Sequence, residues 1–302
     1  MTDGPVRDGS VDGSARDGSA RDGPARDAAF AGPVFGSGNR PALIGHRGLG
    51  KGTVAGHGEN TLGSFLACAE HRLDWVEVDV RRTADDVLFV MHDPAYTDWT
   101  VLAQIDARAA AARGTLALAD LLAALPPGLG IDFDLKSCLE DATRPRHATT
   151  AGFLAPIAAE VARTRPTLVT SFDPAALAVL AELAPGVPRG LLTWLNFPAG
   201  QAVAAAAHLD VAVLALHSGS LGAGFGSSPG LRRRLCSLVD GLHAAGREFL
   251  VWCPTRAQSR VLADAGADAL CVNDGPSWAA GLPAPPAPGS PGAATAEPAD
   301  RP

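Results

Sequence analysis

The stretch WVEVDV, residues 75–80, carries two carboxylates and three valines in strict alternation. Side chains on a strand point to opposite faces in turn, so Glu77 and Asp79 share one face and Val76, Val78 and Val80 share the other. An edge strand with one face in water shows the same alternation. A second stretch, GIDFDLK at 130–136, repeats it, with Asp132, Asp134 and Lys136 on one face and Ile131, Phe133 and Leu135 on the other. The apolar faces suit packing beneath helices. The carboxylate faces then point into a closed barrel, where an ionisable group needs a chemical reason to be.

Working outward, apolar runs alternate with alanine- and leucine-rich helical spacing, the pattern of repeated βα units. The runs are ALIGH, WVEVDV, VLFVMH, GIDFDLK, TLVTSF, RGLLTW, VAVLAL, FLVWC and ALCVN. Helical spacing covers 62–72, 116–125, 153–164 and 231–245. The expected fold is α/β, a TIM-type (β/α)8 barrel, for which nine runs are one too many. Only RRTADD separates Val80 from Val87, too little for a parallel crossover, so VLFVMH is expected to form a hairpin with WVEVDV.

The barrel is expected over residues 40–282. Before it, residues 1–39 hold a repeat (VRDGS, ARDGS, ARDGP, ARD) with no apolar face, read as a disordered tail. After it, 283–302 is rich in Pro and Ala, read as a second disordered extension. The chain has 302 residues, 47% of them hydrophobic, with a net charge of −7. Such a balance offers no basic field for nucleic acid or an anionic membrane, and no apolar run reaches spanning length. Five scattered cysteines lack metal-site or disulfide spacing, and with no signal-like start they point to the cytoplasm. Of these thiols, Cys138, just past the Lys136 strand end, is the one to test for reactivity, while Cys68 and Cys271 are read as core.

Carboxylates converging at a barrel mouth repel one another unless a cation lies among them. Glu77, Asp79 and Asp134 form an oxygen-only set suited to one hard divalent ion, Mg²⁺ or Ca²⁺, better than to zinc. Arg47 and Lys136, at strand ends, suggest an anionic substrate, and beside a metal they point to phosphate. His46 in GHRG and His92 in MHDP close two further apolar runs. Paired histidines there can pass protons to and from the reacting oxygens at neutral pH.

These residues resemble the glycerophosphodiester phosphodiesterases, within the phosphatidylinositol-phospholipase-C-like TIM barrel superfamily. The blocks HRG at His46, ENT at Glu59, EVDV at Glu77, HD at His92 and DLK at Asp134 follow the family order. TSF at Thr170, VWC at Val251 and GADALCVND at Gly266 resemble its closing strands. The resemblance implies metal-dependent hydrolysis of a small glycerophosphodiester to sn-glycerol 3-phosphate and an alcohol. It implies His46 and His92 as the catalytic acid/base pair, Glu77, Asp79 and Asp134 as metal ligands, and Arg47 and Lys136 on the phosphate. Three departures stand out. Asp134 replaces the usual glutamate, with Asp132 as a candidate substitute; Gly58 replaces a proline; and Cys253 and Asn273 replace threonines, with modest effects expected at the rim. DLK with aspartate also resembles the sphingomyelinase D and lysophospholipase D type enzymes, the rival reading. A catalytically silent phosphodiester-binding barrel is the other. Trp252 is a candidate pocket wall for the alcohol group, or else core.

Overall fold

The computed structural model describes residues 32–36, 40–222, 224 and 227–280. The N-terminal repeats and the Pro/Ala-rich stretch after 282 lie outside the described residues. Eight parallel strands close into a barrel: β1 Ala42–Gly45, β2 Trp75–Arg82, β3 Gly130–Leu135, β4 Thr167–Ser171, β5 Arg189–Leu192, β6 Val213–His217, β7 Glu248–Trp252 and β8 Ala269–Val272. Neighbours in sequence are neighbours in the sheet, and β1 pairs with both β8 and β2, which completes the ring. The expected hairpin is present. Leu88–Val90 runs antiparallel to β2, with Val80 opposite Val90, and Leu116–Ala117 extends it by one more antiparallel pairing. That removes VLFVMH from the barrel and resolves the count of nine.

Helices follow the strands and are started by side chains the sequence supplies. Thr61 caps Leu62–Glu70, Thr149 caps Thr150–Val161, and Asp173 caps Pro174–Leu183, each accepting a hydrogen bond from a first-turn backbone N–H. Ser228 does the same for Pro229–Ala244. The outward residues of β2 and β3, Val76, Val78, Val80, Ile131, Phe133 and Leu135, join the large cluster formed with these helices. A second, smaller cluster fills the barrel interior around Ile44, Trp75, Leu168, Val213, Leu250 and Cys271. Both faces of the central strands are thus buried. That is why their inward carboxylates are nearly inaccessible.

Composition alone assigns Gly32–Gly36 to the tail, but the structure places this segment under the barrel floor. The Phe35 ring meets Trp75 edge-on with centroids 5.2 Å apart. The backbone N–H groups of Val34 and Phe35 donate to the Glu248 carboxylate at 2.5 and 3.1 Å. Two apolar side chains in a polar stretch give no periodicity to read, yet they match an opening lined by Trp75. β3 begins with glycine for the same reason, because a Cβ at Gly130 would lie 2.3 Å from the Trp75 ring.

Candidate active site

The chain turns sharply as β1 ends. A Cβ at Gly45 would meet the Gly48 carbonyl oxygen at 2.0 Å, and one at Gly48, where φ is +96°, would meet Ser64 Oγ at 2.5 Å. Both glycines of GHRG are therefore required by close approach. Between them Arg47 takes the left-handed conformation (φ 59°), which is costly for a long side chain. Two contacts hold it there: its N–H donates to Glu77 Oε2 at 2.7 Å, and its carbonyl accepts from Asn60 N–H at 2.9 Å. The turn thus delivers His46 and Arg47 to the barrel mouth with Glu77 as an anchor.

All seven residues singled out by sequence come together. His46, Arg47, Glu77, His92, Asp134 and Lys136 line one cavity of about 200 Å³, and Asp79 is buried against Arg47 and Lys136. β2 and β3 are in register, with Glu77 beside Asp132 and Asp79 beside Asp134. One ligand oxygen each from Glu77, Asp79 and Asp134 lies within 4.8 Å of the others. Glu77 Oε1, Asp79 Oδ1 and Asp134 Oδ1 are buried and have no hydrogen-bond partner. Two carboxylate oxygens without a partner, and a third whose neighbour is the Lys136 ammonium at 3.0 Å, gathered this closely fit a hard divalent cation. Asp134 meets the cluster despite its shorter side chain. Asp132 does not substitute for it, since its carboxylate accepts a hydrogen bond from Thr170 Oγ1 at 2.8 Å.

The electrostatics reflect this crowding. Burial, reinforced by Asp79 and Asp134, pushes Glu77 well above the ordinary carboxylate range. Burial likewise raises Asp134 to about 6 and Asp132 to about 8, against the pull of Lys136 on the first and of the Thr170 bond on the second. Asp79 goes the other way. Lys136 leads the groups that overcome its burial and lower it, with His92, Asn60 and Arg47 helping. The Lys136 ammonium donates to Asp134 and lies 3.0 Å from Asp79 Oδ1. Burial opposes its charge, but these carboxylates hold it above the ordinary lysine value.

ENT explains two of these placements. Glu59 accepts from Arg47 Nη1 at 2.7 Å, and Asn60 Nδ2 donates to Asp79 Oδ2 at 2.9 Å. His92 is set beside the cluster by the hairpin, where Met91 N–H donates to the Asp79 carbonyl. Its Nδ1 pairs with Asp93 Oδ1 at 2.7 Å. Burial lowers His92 below the usual imidazole value in spite of Asp79 and Asp93.

His46 depends on the two positions expected to matter little. Its Nδ1 is 2.6 Å from Asn273 Oδ1 and 3.7 Å from Cys253 Sγ. An amide oxygen only accepts, so Nδ1 carries the proton and Nε2 remains for the cavity. Burial works against the His46 charge. The Cys253 thiol and Asn273 outweigh it and raise His46 above its ordinary value, while the same contacts, against burial, lower Cys253. Cys138, by contrast, receives an Arg82 N–H at 3.1 Å and is raised, mainly by burial.

Arg81, Phe172 and Trp194 also line the cavity, with Trp252. Phe172 stacks on Trp194 at 4.2 Å and meets Trp252 edge-on at 5.8 Å. Trp252 is thus both, lining the cavity and packing against the interior cluster. Inward parity along β2 marks Arg81 in the sequence, whereas nothing local marks Asn273.

Residues 46–124 match the sequence profile of the Glycerophosphoryl diester phosphodiesterase family. The matched segment holds His46, Arg47, Glu77, Asp79 and His92, while Asp134 and Lys136 lie beyond it. The glycerophosphocholine phosphodiesterase of Schizosaccharomyces pombe is 47% identical over 62 residues, which are 19% of this chain and 6% of that protein. Its counterpart in Eremothecium gossypii is 46% identical over 55 residues, 17% of this chain and 4% of that protein. The chain therefore matches only a small part of the length of these curated relatives. A phosphodiesterase of Oleispira antarctica, solved with the product sn-glycerol-3-phosphate, has a similar fold: TM-score 0.59, 21% identity, 80% of this chain and 97% of that one. Among the described residues, no helix is long and apolar enough to cross a membrane.

Proposed function

We propose that the protein hydrolyses small glycerophosphodiesters to sn-glycerol 3-phosphate and an alcohol, in the cytoplasm. The observation that carries this reading is the convergence of the Glu77, Asp79 and Asp134 carboxylates, those of Glu77 and Asp134 each with an oxygen that lacks a partner, at a cavity that also holds two histidines. Glu77, Asp79 and Asp134 would hold a divalent cation, Mg²⁺ or Ca²⁺, which when bound supplies positive charge against the phosphoryl oxygens.

The chain's own residues supply the rest. His46, with Nδ1 fixed by Asn273, offers Nε2 to one reacting oxygen. His92, with Nδ1 against Asp93, offers its other nitrogen from the hairpin side of the cavity. One takes a proton from the attacking oxygen while the other returns one to the departing alcohol. Direct attack by water and attack by the glycerol hydroxyl need the same two proton positions. Arg47 and Lys136 add positive charge beside the phosphate, and Phe172, Trp194 and Trp252 offer an aromatic wall to the alcohol.

The test is release of sn-glycerol 3-phosphate from glycerophosphocholine with Mg²⁺ or Ca²⁺, with and without chelator. Turnover is expected to need the ion and to collapse in His46→Ala and His92→Ala. Full turnover under chelation would remove the metal from this reading. Full turnover in His92→Ala would remove the acid/base pair.

A further inference from the structure

Three cationic side chains line the cavity, and they differ in what already holds them. Arg47 donates to Glu59 through Nη1 and lies 3.5 Å from Asp79 Oδ2 through Nε. Lys136 is held by Asp134 and Asp79. Arg81 has no ion pair among the described residues. Its single hydrogen bond is from Nε to the His92 carbonyl, at 2.8 Å.

Neither Nη1 nor Nη2 of Arg81 has a partner, and neither is among the sealed polar atoms without one, so both reach open space. Arg81 lines the cavity beside His92 and Pro94, and it also borders an adjoining hollow with Arg82, Leu102 and Glu140. The side chain leaves β2 on the same inward face as Glu77 and Asp79, one step nearer the mouth. A guanidinium with Nε tied to a fixed carbonyl and both terminal nitrogens open presents a planar fork. Such a fork matches two non-bridging oxygens of a phosphate, which the point charge of a lysine cannot.

We propose that Arg81 binds the phosphate of the substrate, as a two-pronged clamp beyond the contacts of Arg47 and Lys136. This rests on the phosphodiesterase reading above. Through its Nε the same side chain steadies the loop that carries His92, so a bound phosphate is registered directly against that imidazole.

The experiment separates binding from His92 positioning. Calorimetric titration of sn-glycerol 3-phosphate, and of inorganic phosphate, into the full chain with Mg²⁺ does not depend on turnover. Arg81→Met is expected to weaken both ligands roughly tenfold or more, as for loss of charged hydrogen bonds. Arg81→Lys, which keeps the charge and loses the fork, is expected to fall between, with KM rising in the same order. The Lys variant also keeps the test readable if the Met variant unfolds. Unchanged affinity in both variants, whatever happens to kcat, overturns the clamp and leaves Arg81 only a support for His92. A wild-type protein that binds neither ligand and releases no sn-glycerol 3-phosphate overturns the phosphodiesterase reading itself, and the clamp with it.

Discussion

Replacing Asn273 by alanine removes the 2.6 Å partner of the Nδ1 of His46, itself only 9% exposed. No second acceptor of that quality is at hand, since Cys253 Sγ stands 3.7 Å away. A buried donor left without its partner costs about 1–3 kcal/mol. For a barrel of this size that lowers Tm by roughly 2–10 °C. The same energy acts on catalysis, because the imidazole is then free to rotate or to carry its proton on the wrong nitrogen. Worked through transition-state arithmetic, kcat/KM on glycerophosphocholine should fall roughly 5- to 150-fold. Asn273→Asp supplies the sign of the effect. A carboxylate in the same place stabilises the imidazolium, so the limb of the pH–rate profile that belongs to His46 should move to higher pH. The assay is steady-state kinetics across pH for wild type and both variants, with thermal unfolding alongside. If Asn273→Ala loses stability but keeps kcat/KM within about twofold, and Asn273→Asp leaves the profile where it was, Asn273 does not position His46.

Chelated protein should lose stability as pH rises. Glu77, Asp132 and Asp134 are all raised in the fold, so their contribution is full below the ordinary carboxylate value and fades as pH passes about 6 for Asp134 and about 8 for Asp132. Denaturation under EDTA at about pH 5 and about pH 8 checks this, and equal midpoints would count against it. Glu77→Gln leaves one fewer buried carboxylate to ionise, so it should flatten the fall in stability with pH of the chelated protein and abolish the gain in Tm from added Mg²⁺ or Ca²⁺. Phe35→Ala opens the floor beneath Trp75 and should cost about 1–3 kcal/mol for a half-buried ring, with kcat unchanged; a loss of kcat without loss of stability would contradict the floor's structural role. Trp194→Ala should raise KM for glycerophosphocholine roughly two- to fivefold, a surface cation–π contribution, and leave glycerophosphoglycerol unaffected; equal effects on both would rule out recognition of the ammonium.

The features legible in the sequence were those set by short-range periodicity. The two-residue alternation of WVEVDV and GIDFDLK placed Glu77, Asp79 and Asp134 on inward faces, and the six residues between Val80 and Val87 were too few for anything but a hairpin. What closure of the barrel brings together was not legible. Asn273 and His46 are 227 residues apart and meet only because β8 pairs with β1. Cys253 reaches the same imidazole from β7, with its N–H bonded to the Cys271 carbonyl. Departures from the family pattern at these positions looked peripheral for that reason. Gly32–Gly36 escaped on other grounds, since Val34 and Phe35 form no repeat and their value lies in the shape of the opening they fill.

The inward residues also encode depth, and the order of their chemistry bears on what the cavity holds. From the floor upward β2 presents Trp75, Glu77, Asp79 and Arg81, and β3 presents Gly130, Asp132, Asp134 and then Lys136 just beyond its end. Apolar, acidic and basic side chains thus succeed one another at steps of two residues, about 6.6 Å each. An acidic layer sealed from water beneath a basic one is unfavourable as a structural device alone, because an apolar filling would cost less. It becomes favourable when a cation occupies the lower layer and an anion the upper, each screening the charges that face it. Arg81 tests this ordering more sharply than the deeper carboxylates do. A metal with no phosphate leaves Arg81 indifferent, whereas a phosphodiester seated above the metal requires a donor at that height.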